Sequence, residues 1–589
     1  MRKLFLSLFL VCLAITASAI PARRVWRTYT QTDGSQLKLM LIGDEHFHYF
    51  ITTDSLPVVQ RDGAFYYAKA SHNNMIASDI LAHNIEQRPQ AELSAAQDFM
   101  NQKSSIMKAA SNARSTMLPA LIERKPANAY QGEKKGIVIL VSFSDLDYAE
   151  TDPQGAFNDL CNKEGYNVGG ERGSVHDYFR DNSYGQFSLK FDVVGPYKAP
   201  KPWSYYGKDS NRGHDLNVRE LIKFAINSAD ADVNFKDYDW DDDGNVDQVY
   251  VVYAGFSQAA GADANTIWPH ESELGYAYPY YDNRVKVDGV YVNKYACGAE
   301  LQGTSGTTMD GIGTFCHEFS HCLGLPDFYD ISANAGASNY NYGMGIWDVM
   351  CMGADFGPVP YTAYERNYAG WLDYQVLDPD KPCKVQKLRP IDHPSQPGEV
   401  FQIKTDNENE YYLLECRNYT GKWGRDLIYY GNSTYGGLLV THVTYDKARW
   451  QWNDVNTTDG NYTNSGKSYS YECMSVVAAD NSKGMGTFND MIGDLFGTGN
   501  SSITGSTTPA FDLNLTGGTL DVSLTGIKKK GGVIDFVWQN GTEIYNGIEN
   551  AVVEMPAEQD NRVFNLAGQQ VAPGTKGIVI KNGRKYLNK

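Results

Sequence analysis

Four hydrophobic patterns follow one another along the chain. From residue 20 to about 130, short β-like runs (Leu37–Ile42, His46–Ile51) give way to a polar, Ala- and Gln-rich stretch, Gln87–Arg114. That stretch is predicted to be helical or extended and loosely packed. A mixed α and β segment comes next. Gly136–Phe143, GIVILVSF, is continuously apolar, as a strand is when both its faces are covered. Val218, Leu221, Ile222, Ala225, Ile226 and Ala229 recur at the spacing of an amphipathic helix. Val246–Ala254 reads as a second buried strand, and Ile312, Phe315, Phe319 and Leu323 mark another helix. Beyond Trp371-Leu372 the pattern becomes alternating β, up to about Gln539, with Glu410–Leu414, Gly437–Tyr445 and Val533–Trp538 as examples. Gly497–Thr519 is turn-rich and predicted to be an irregular loop. A last segment carries Val563–Leu566 and Gly577–Ile580 around a Pro-Gly turn.

The 589 residues exceed one core of ordinary size, so several structured units are expected. Residues 1–19 read as an export signal: Arg2 and Lys3 precede an apolar run from Leu4 to Ile15, and Ala17-Ser18-Ala19 offers a small-x-small cleavage site. The run is too short to span a bilayer. A soluble, exported product follows, with no membrane span. The formal charge of −18 lacks the basic face that a nucleic-acid partner needs. Cys161, Cys297, Cys316, Cys322, Cys351, Cys383, Cys416 and Cys473 remain after the signal; an exported chain permits disulfides among them, and buried thiols are the alternative.

The chemistry concentrates in 314-TFCHEFSHCLGLPDFYD-330. His317 and His321 are four apart, so on a helix both imidazoles project from one face and can reach one zinc ion. Glu318, beside the first ligand, can contact a water on that metal without being a ligand, as a general base must. Gly324 can adopt the left-handed conformation that stops the helix. Asp327 is then placed to return as a third, oxygen ligand. Three protein ligands and one open position describe a catalytic zinc site, whereas a structural site is closed by four.

With these residues in view, the chain resembles the immune inhibitor A-type zinc metallopeptidases secreted by bacteria. The resemblance extends to SYGQFSLKFDVVG (183–195), DWDDDGNVDQVYVVYAG (239–255), TIWPH (266–270), MGIWDVMCMG (344–353) and GLLVTHV (437–443). It covers roughly residues 30 to 540. It implies an α+β (mixed), metzincin-like zinc endopeptidase made as an inactive precursor. His317 and His321 match the zinc ligands and Glu318 the catalytic base. Asp327 matches the third-ligand position, usually a histidine in metzincins, with Glu365 of YTAYERNYAGWL as the competing candidate. Met350 resembles the methionine of the turn beneath the metal. The oxyanion partner stays open, with His270 and nearby tyrosines as candidates.

Asp239, Asp241, Asp243 and Gly244 occupy the first, third, fifth and sixth positions of a calcium loop, followed by Asn245 and Asp247. The twelfth position is Tyr250, not the glutamate of an EF-hand, and Asp247 at the ninth is expected to compensate; a solvated acidic turn is the other reading. The expected organisation is a signal (1–19), a propeptide (20–130), the catalytic domain (131–372), a β-rich, sandwich-like accessory domain (373–545) and a C-terminal tail (546–589). Processing is expected between Ala110 and Lys135. No cysteine lies between Ile20 and Leu160, so a propeptide would block zinc with Asp44, Glu45, His46 or His48 instead. The tail VFNLAGQQVAPGTKGIVIKNGRK (563–585) resembles C-terminal segments of exported Bacteroidetes-type proteins, some of which address type IX secretion. That resemblance implies a Gram-negative host, release or surface attachment, and secretion machinery as a partner. Protein or peptide substrates are the main expected partners. The rival from another class is a non-enzymatic adhesin, or a carbohydrate- or protein-binding protein, using the β-rich region.

Overall fold

The computed structural model describes residues 17–18, 21–23, 25–44, 48–71, 74–114, 127–209, 215–275, 277–278, 281–331, 343–393, 398–424, 435–460, 463, 465–482, 493–545, 563–565, 570–571, 576–581 and 584–588. Most of the expected signal, Glu45, His46 and residues 115–126 of the expected processing range therefore lie outside the described residues. Residues 1–543 form one unit and 544–589 another.

The N-terminal part is a six-stranded meander: Arg27–Thr30 (β1), Gln36–Gly43 (β2), His48–Thr52 (β3), Pro57–Arg61 (β4), Ala64–Ser71 (β5) and Asn74–Leu81 (β6). The polar stretch that follows is helical, Gln90–Arg114 (α1), and buries Ala96 and Ile106. Its Glu92 accepts a hydrogen bond from the Tyr67 hydroxyl at 2.7 Å. The core of this sheet takes in Ala259 and Trp268 from the next part of the chain.

The central part is a mixed α/β layer. Its sheet runs His270–Glu273 (β10), Lys294–Leu301 (β11), Val249–Phe256 (β9), Gly132–Ser142 (β7), Phe187–Lys198 (β8), with a two-residue strand, Ala17–Ser18, outside β10. Strands β8, β7, β9 and β11 are mutually parallel; β10 runs antiparallel to β11. The apolar runs read from sequence fall on β7 and β9, both covered on two faces. One face carries Pro153–Asn162 (α2), Val175–Asn182 (α3) and Ile312–Cys322 (α5); Val218–Ala229 (α4) packs on the other with its six periodic residues buried.

Beyond residue 373 two antiparallel-rich sheets follow. One runs Gln375–Val376 (β12), Phe401–Lys404 (β14), Glu410–Asn418 (β15), Gly436–Thr444 (β16), Met474–Val476 (β17). The other runs Cys383–Leu388 (β13), Val533–Trp538 (β20), Ser523–Lys530 (β19), Ile503–Thr504 (β18). Apart from β18 and isolated bridges at Ala510, Asp512 and Thr519, residues 497–519 are turns, bends and irregular chain, as their composition predicts. Leu413, Trp423, Val443, Trp450 and Met474 belong to the same apolar core as Phe315, Phe319 and Met350, so the β region is packed directly against the α5 face. The second unit, considered alone, is a four-stranded sheet in the order 570–571, 563–565, 577–581, 584–588. No disulfide joins the eight described cysteines. Among the described residues no helix is long and apolar enough to cross a membrane.

Candidate metal centre

Helix α5 is buried on every side, and its first turn can sit so deep because of a glycine. A Cβ on Gly313 would lie 2.0 Å from the carbonyl oxygen of Ala354, in the 3-10 turn Met352–Phe356. Phe315 stacks on Tyr250 with ring centroids 3.8 Å apart. At the other end Gly324 takes φ 83°, the left-handed stop expected of it. The last carbonyls are satisfied by tyrosines: Tyr130 donates to Leu323 O at 2.6 Å and Tyr368 to Gly324 O at 2.8 Å.

The turn after Gly324 brings Asp327 back to the two histidines. His317 Nε2 and His321 Nε2 are 3.3 Å apart, and Asp327 Oδ1 lies 3.3 Å from the first and 3.6 Å from the second. Each imidazole is fixed from behind, His317 Nδ1 against Val349 O and His321 Nδ1 against Leu325 O, both at 2.7 Å. A carbonyl oxygen can only accept, so both Nδ1 atoms carry the proton. Both Nε2 lone pairs then face each other and a carboxylate oxygen. Three acceptors converging in a buried space repel unless a cation sits between them. The separations suit one: a tetrahedral ion with metal–donor distances of about 2.0–2.1 Å has donor–donor edges of about 3.3–3.4 Å.

The electrostatics follow from this packing. Burial pushes His321 down to about 4, favouring the neutral, ligating imidazole. Burial alone would raise Asp327; the charged forms of His321 and His317 and the Asn453 amide pull it down, and with both imidazoles neutral a bound cation would supply that charge instead. Asn453, just after the short helix Lys447–Gln451, donates to Asp327 Oδ2 and accepts from Asp327 N, each at 2.7 Å. The segment 348–350 supports the other side: Phe328 N donates to Met350 O at 2.8 Å, and Met350 N to Asp348 Oδ1 at 2.7 Å. Met350 thus sits in a turn bonded to the residue after Asp327 and, through Val349, to His317. Glu318 is fully buried one residue beyond His317.

Residues 127–374 match the family described as immune inhibitor A peptidase M6, catalytic domain. The resemblance read from the motifs therefore stands, and a family of metallopeptidases implies a metal. Among similar proteins, the pre-pro-metalloprotease PrtV of Vibrio cholerae is 26% identical over 235 residues, covering 35% of this chain and 25% of that protein. Immune inhibitor A of Bacillus thuringiensis is 26% identical over 275 residues, 40% of this chain and 39% of that protein. A putative secreted metallopeptidase of Arthroderma benhamiae is 23% identical over 242 residues, 36% and 33% respectively. The matched part thus spans a quarter to two-fifths of each relative's length.

The matched segment also holds Glu365 and His270, both singled out from sequence. Glu365 is not brought to the histidines. It lies in the first turn of Ala363–Tyr368 (α6), where its Oε2 accepts from Thr362 N at 2.6 Å. Burial and the neighbouring Asp348 carboxyl push it well above the usual range. Thr362-x-x-Glu365 spells a capping box, a signal legible in the sequence. His270 is also committed elsewhere, with Nδ1 2.6 Å from Trp268 O and Nε2 3.0 Å from the Tyr295 hydroxyl. Asp44 and His48 do not join the three-residue cluster among the described residues. His48 stacks on Trp268 at 4.4 Å instead.

In the acidic loop, carboxylate oxygens of Asp239, Asp241 and Asp243 lie within 4.8 Å of one another. Asp239 also accepts from the amides of Asp243 and Gly244 at 3.1 and 2.9 Å. Asp247 Oδ2 accepts from Trp240 N at 2.5 Å, and the Asn245 amide is turned to Asp243. Two residues outside the motif were missed: Asn453 and Glu271 of β10. Burial pushes Glu271 up to about 8, with Lys294 opposing and Asp327 among the charges that raise it.

Proposed function

We propose that the chain is a zinc-dependent endopeptidase, metzincin-like in its catalytic segment, exported as a precursor and acting on extracellular proteins. The observation that carries this reading is the trio His317, His321 and Asp327, three acceptor atoms at tetrahedral-edge separations with both imidazoles tautomerically fixed. These residues would hold the zinc. Bound there, it would supply Lewis acidity to a scissile carbonyl and acidify a water. Glu318 takes the proton of the attacking water and returns it to the departing amine. Met350 and Val349 keep the floor of the site in register, and Asn453 orients Asp327.

The precursor reading draws support from burial. His317, Glu318, His321 and Asp327 are each 0–2% exposed, so a polypeptide reaches them only after covering chain has moved. Residues 20–130 supply the propeptide in this reading, and 373–545 the accessory domain. Asp239, Asp241 and Asp243 would hold a stabilising calcium at the entrance to β9, which a fall in melting temperature on calcium removal, absent in Asp241→Asn, would test. Export to the medium or surface of a Gram-negative cell, with 546–589 read by secretion machinery, completes the proposal; deleting 563–589 should then retain the protein inside. An adhesin reading has no comparable observation behind it.

The deciding experiment is metal analysis of the processed protein with casein cleavage before and after chelation. About one zinc per chain, cleavage abolished by chelator, and a loss of about 100- to 10,000-fold in Glu318→Ala with zinc retained are expected. Undiminished cleavage in Glu318→Ala would sink the proposal.

A further inference from the structure

The turn behind His317 is fastened to the core by two carboxyl groups. Asp348 immediately precedes Val349, whose carbonyl oxygen fixes His317 Nδ1 at 2.7 Å. Asp348 Oδ1 accepts from Met350 N at 2.7 Å, and the Asp348 carbonyl oxygen accepts from Cys351 N and Gly353 N at 3.1 and 2.9 Å. Facing it is Glu365 of α6, whose Oε2 accepts from Thr362 N at 2.6 Å. The two carboxyl groups are within hydrogen-bonding reach of each other, and both residues are fully buried.

Their other oxygens, Asp348 Oδ2 and Glu365 Oε1, are buried and meet no amide, hydroxyl or guanidinium donor among the described residues. Arg417 of β15 faces Asp348, but its Nε is ion-paired with Glu415 and its Nη1 donates to Pro360 O at 3.0 Å. Its Nη2 has no partner either, so it does not reach Asp348. Glu415 in turn accepts from Ala363 N at 2.6 Å. Tyr361 and Tyr178, which also face Glu365, are committed to Ser320 Oγ and Val359 O. The Cys351 thiol beside Asp348 is held neutral by burial.

Two ionised carboxylates in contact and out of water repel, whereas one proton between them turns the repulsion into a hydrogen bond. Burial first, and Asp348 next, hold the Glu365 carboxyl well above the usual carboxylate range.

We propose that Asp348 and Glu365 share a single proton, and that this bond between acid and carboxylate holds Val349, and through it His317, in ligating position. Both are positioning residues. The proposal rests on the metallopeptidase reading above for its zinc, but not for the pair itself.

Amide substitutions test the proton count. In Glu365→Gln the amide oxygen can accept from Thr362 N while the amide nitrogen donates to Asp348; Asp348→Asn does the same toward Met350 N and Glu365. Each single variant keeps the bond with no proton to lose, whereas the double variant sets two N–H donors against each other. Chelator competition on the full-length, zinc-loaded chain should find both single variants close to the parent at neutral pH. The double variant and Glu365→Ala should hold zinc about 10- to 100-fold more weakly. A raised carboxyl contributes stability that is whole below the unfolded value of about 4 and is lost as pH rises through the folded value. Zinc retention by the parent should therefore decline on the alkaline side more than that of either single variant.

Infrared difference spectra give a reading independent of zinc: parent minus Glu365→Gln should show the carbonyl stretch of a protonated carboxylic acid at neutral pH. A double variant that holds zinc as the singles do, or spectra without that band, would overturn the shared proton. If the double variant does not fold, the pH comparison and the spectra of the single variants decide. Absence of zinc binding by the parent would remove the metal reading while the carboxylic acid band still stood.

Discussion

Asn453 grips Asp327 at both its backbone and its carboxylate, across 126 residues of sequence, through two hydrogen bonds of 2.7 Å. Its own backbone is left-handed, with φ 55°, a conformation asparagine tolerates better than most side chains. The β region therefore supplies the outer support of the expected third metal ligand, and the catalytic segment does not complete its own site. Replacing Asn453 by Ala removes both bonds and strands a buried N–H, which costs about 1–3 kcal/mol. Metal affinity should fall about 10- to 100-fold. Chelator competition on the purified variant, followed by zinc content, measures it, and unchanged retention would show that Asp327 needs no such brace.

Gly313 offers a second handle, on packing rather than ligation. A Cβ there meets the Ala354 carbonyl oxygen at 2.0 Å, and backbone atoms on both sides cannot swing aside as a side chain end could. Gly313→Ala should push the 352–356 turn off α5 and destabilise the fold by about 1–3 kcal/mol, the usual cost of overpacking. A thermal melt reads the loss. Gly531→Ala, at a left-handed glycine with open space around its Cβ, is the control for backbone strain alone.

The parts of this site that are legible in sequence are those whose geometry is local. The four-residue spacing of His317 and His321 needs only a helix, and Asp327 needs only the turn that Gly324 permits. Helix α4 was equally readable, because its six apolar residues repeat at the helical period over twelve residues. Asn453 is not readable, since packing that no local pattern encodes brings it to Asp327 across 126 residues. Glu365, the competing candidate for third ligand, stands apart from the histidines for a different reason. An acidic residue near a metal motif looks like a ligand by type, but the Thr362-x-x-Glu365 spelling commits it to its own helix start. His48 likewise had the right chemistry for blocking a metal and instead finds an aromatic face, Trp268, on the way.

His83 predicts how the N-terminal sheet responds to pH. Burial disfavours its charged form, but Asp33 at 2.9 Å and Glu92 at 2.8 Å more than offset this, and its pKa is raised. A raised histidine contributes stability that is whole below the unfolded value of about 6.5 and is lost as pH climbs through the folded value. Asp33 behaves in the opposite sense. Held down chiefly by the His83 hydrogen bond, it contributes above the unfolded carboxylate range and fails only as pH falls through its depressed value. Amide exchange in β5 and β6 should therefore quicken above about pH 6.5, more steeply than intrinsic exchange accounts for. His83→Gln should flatten that extra slope; an unaltered slope would assign it to other groups.

The cysteines give a prediction about export. No disulfide joins the eight described cysteines; seven are buried, with Cys383 alone partly exposed. Burial pushes Cys473 up to about 12 and holds Cys297, Cys316 and Cys351 well above the ordinary range. A thiol that cannot ionise neither attacks a disulfide nor reacts with oxidant at neutral pH. The folded protein should therefore persist in an oxidising compartment with free thiols, whereas the unfolded chain should cross-link. In native buffer a thiol reagent should label at most Cys383, and after denaturation all eight should react. Fewer than eight on denaturation without reductant would mean that disulfides form in the mature protein, and that its stability outside the cell rests on covalent links absent from this packing.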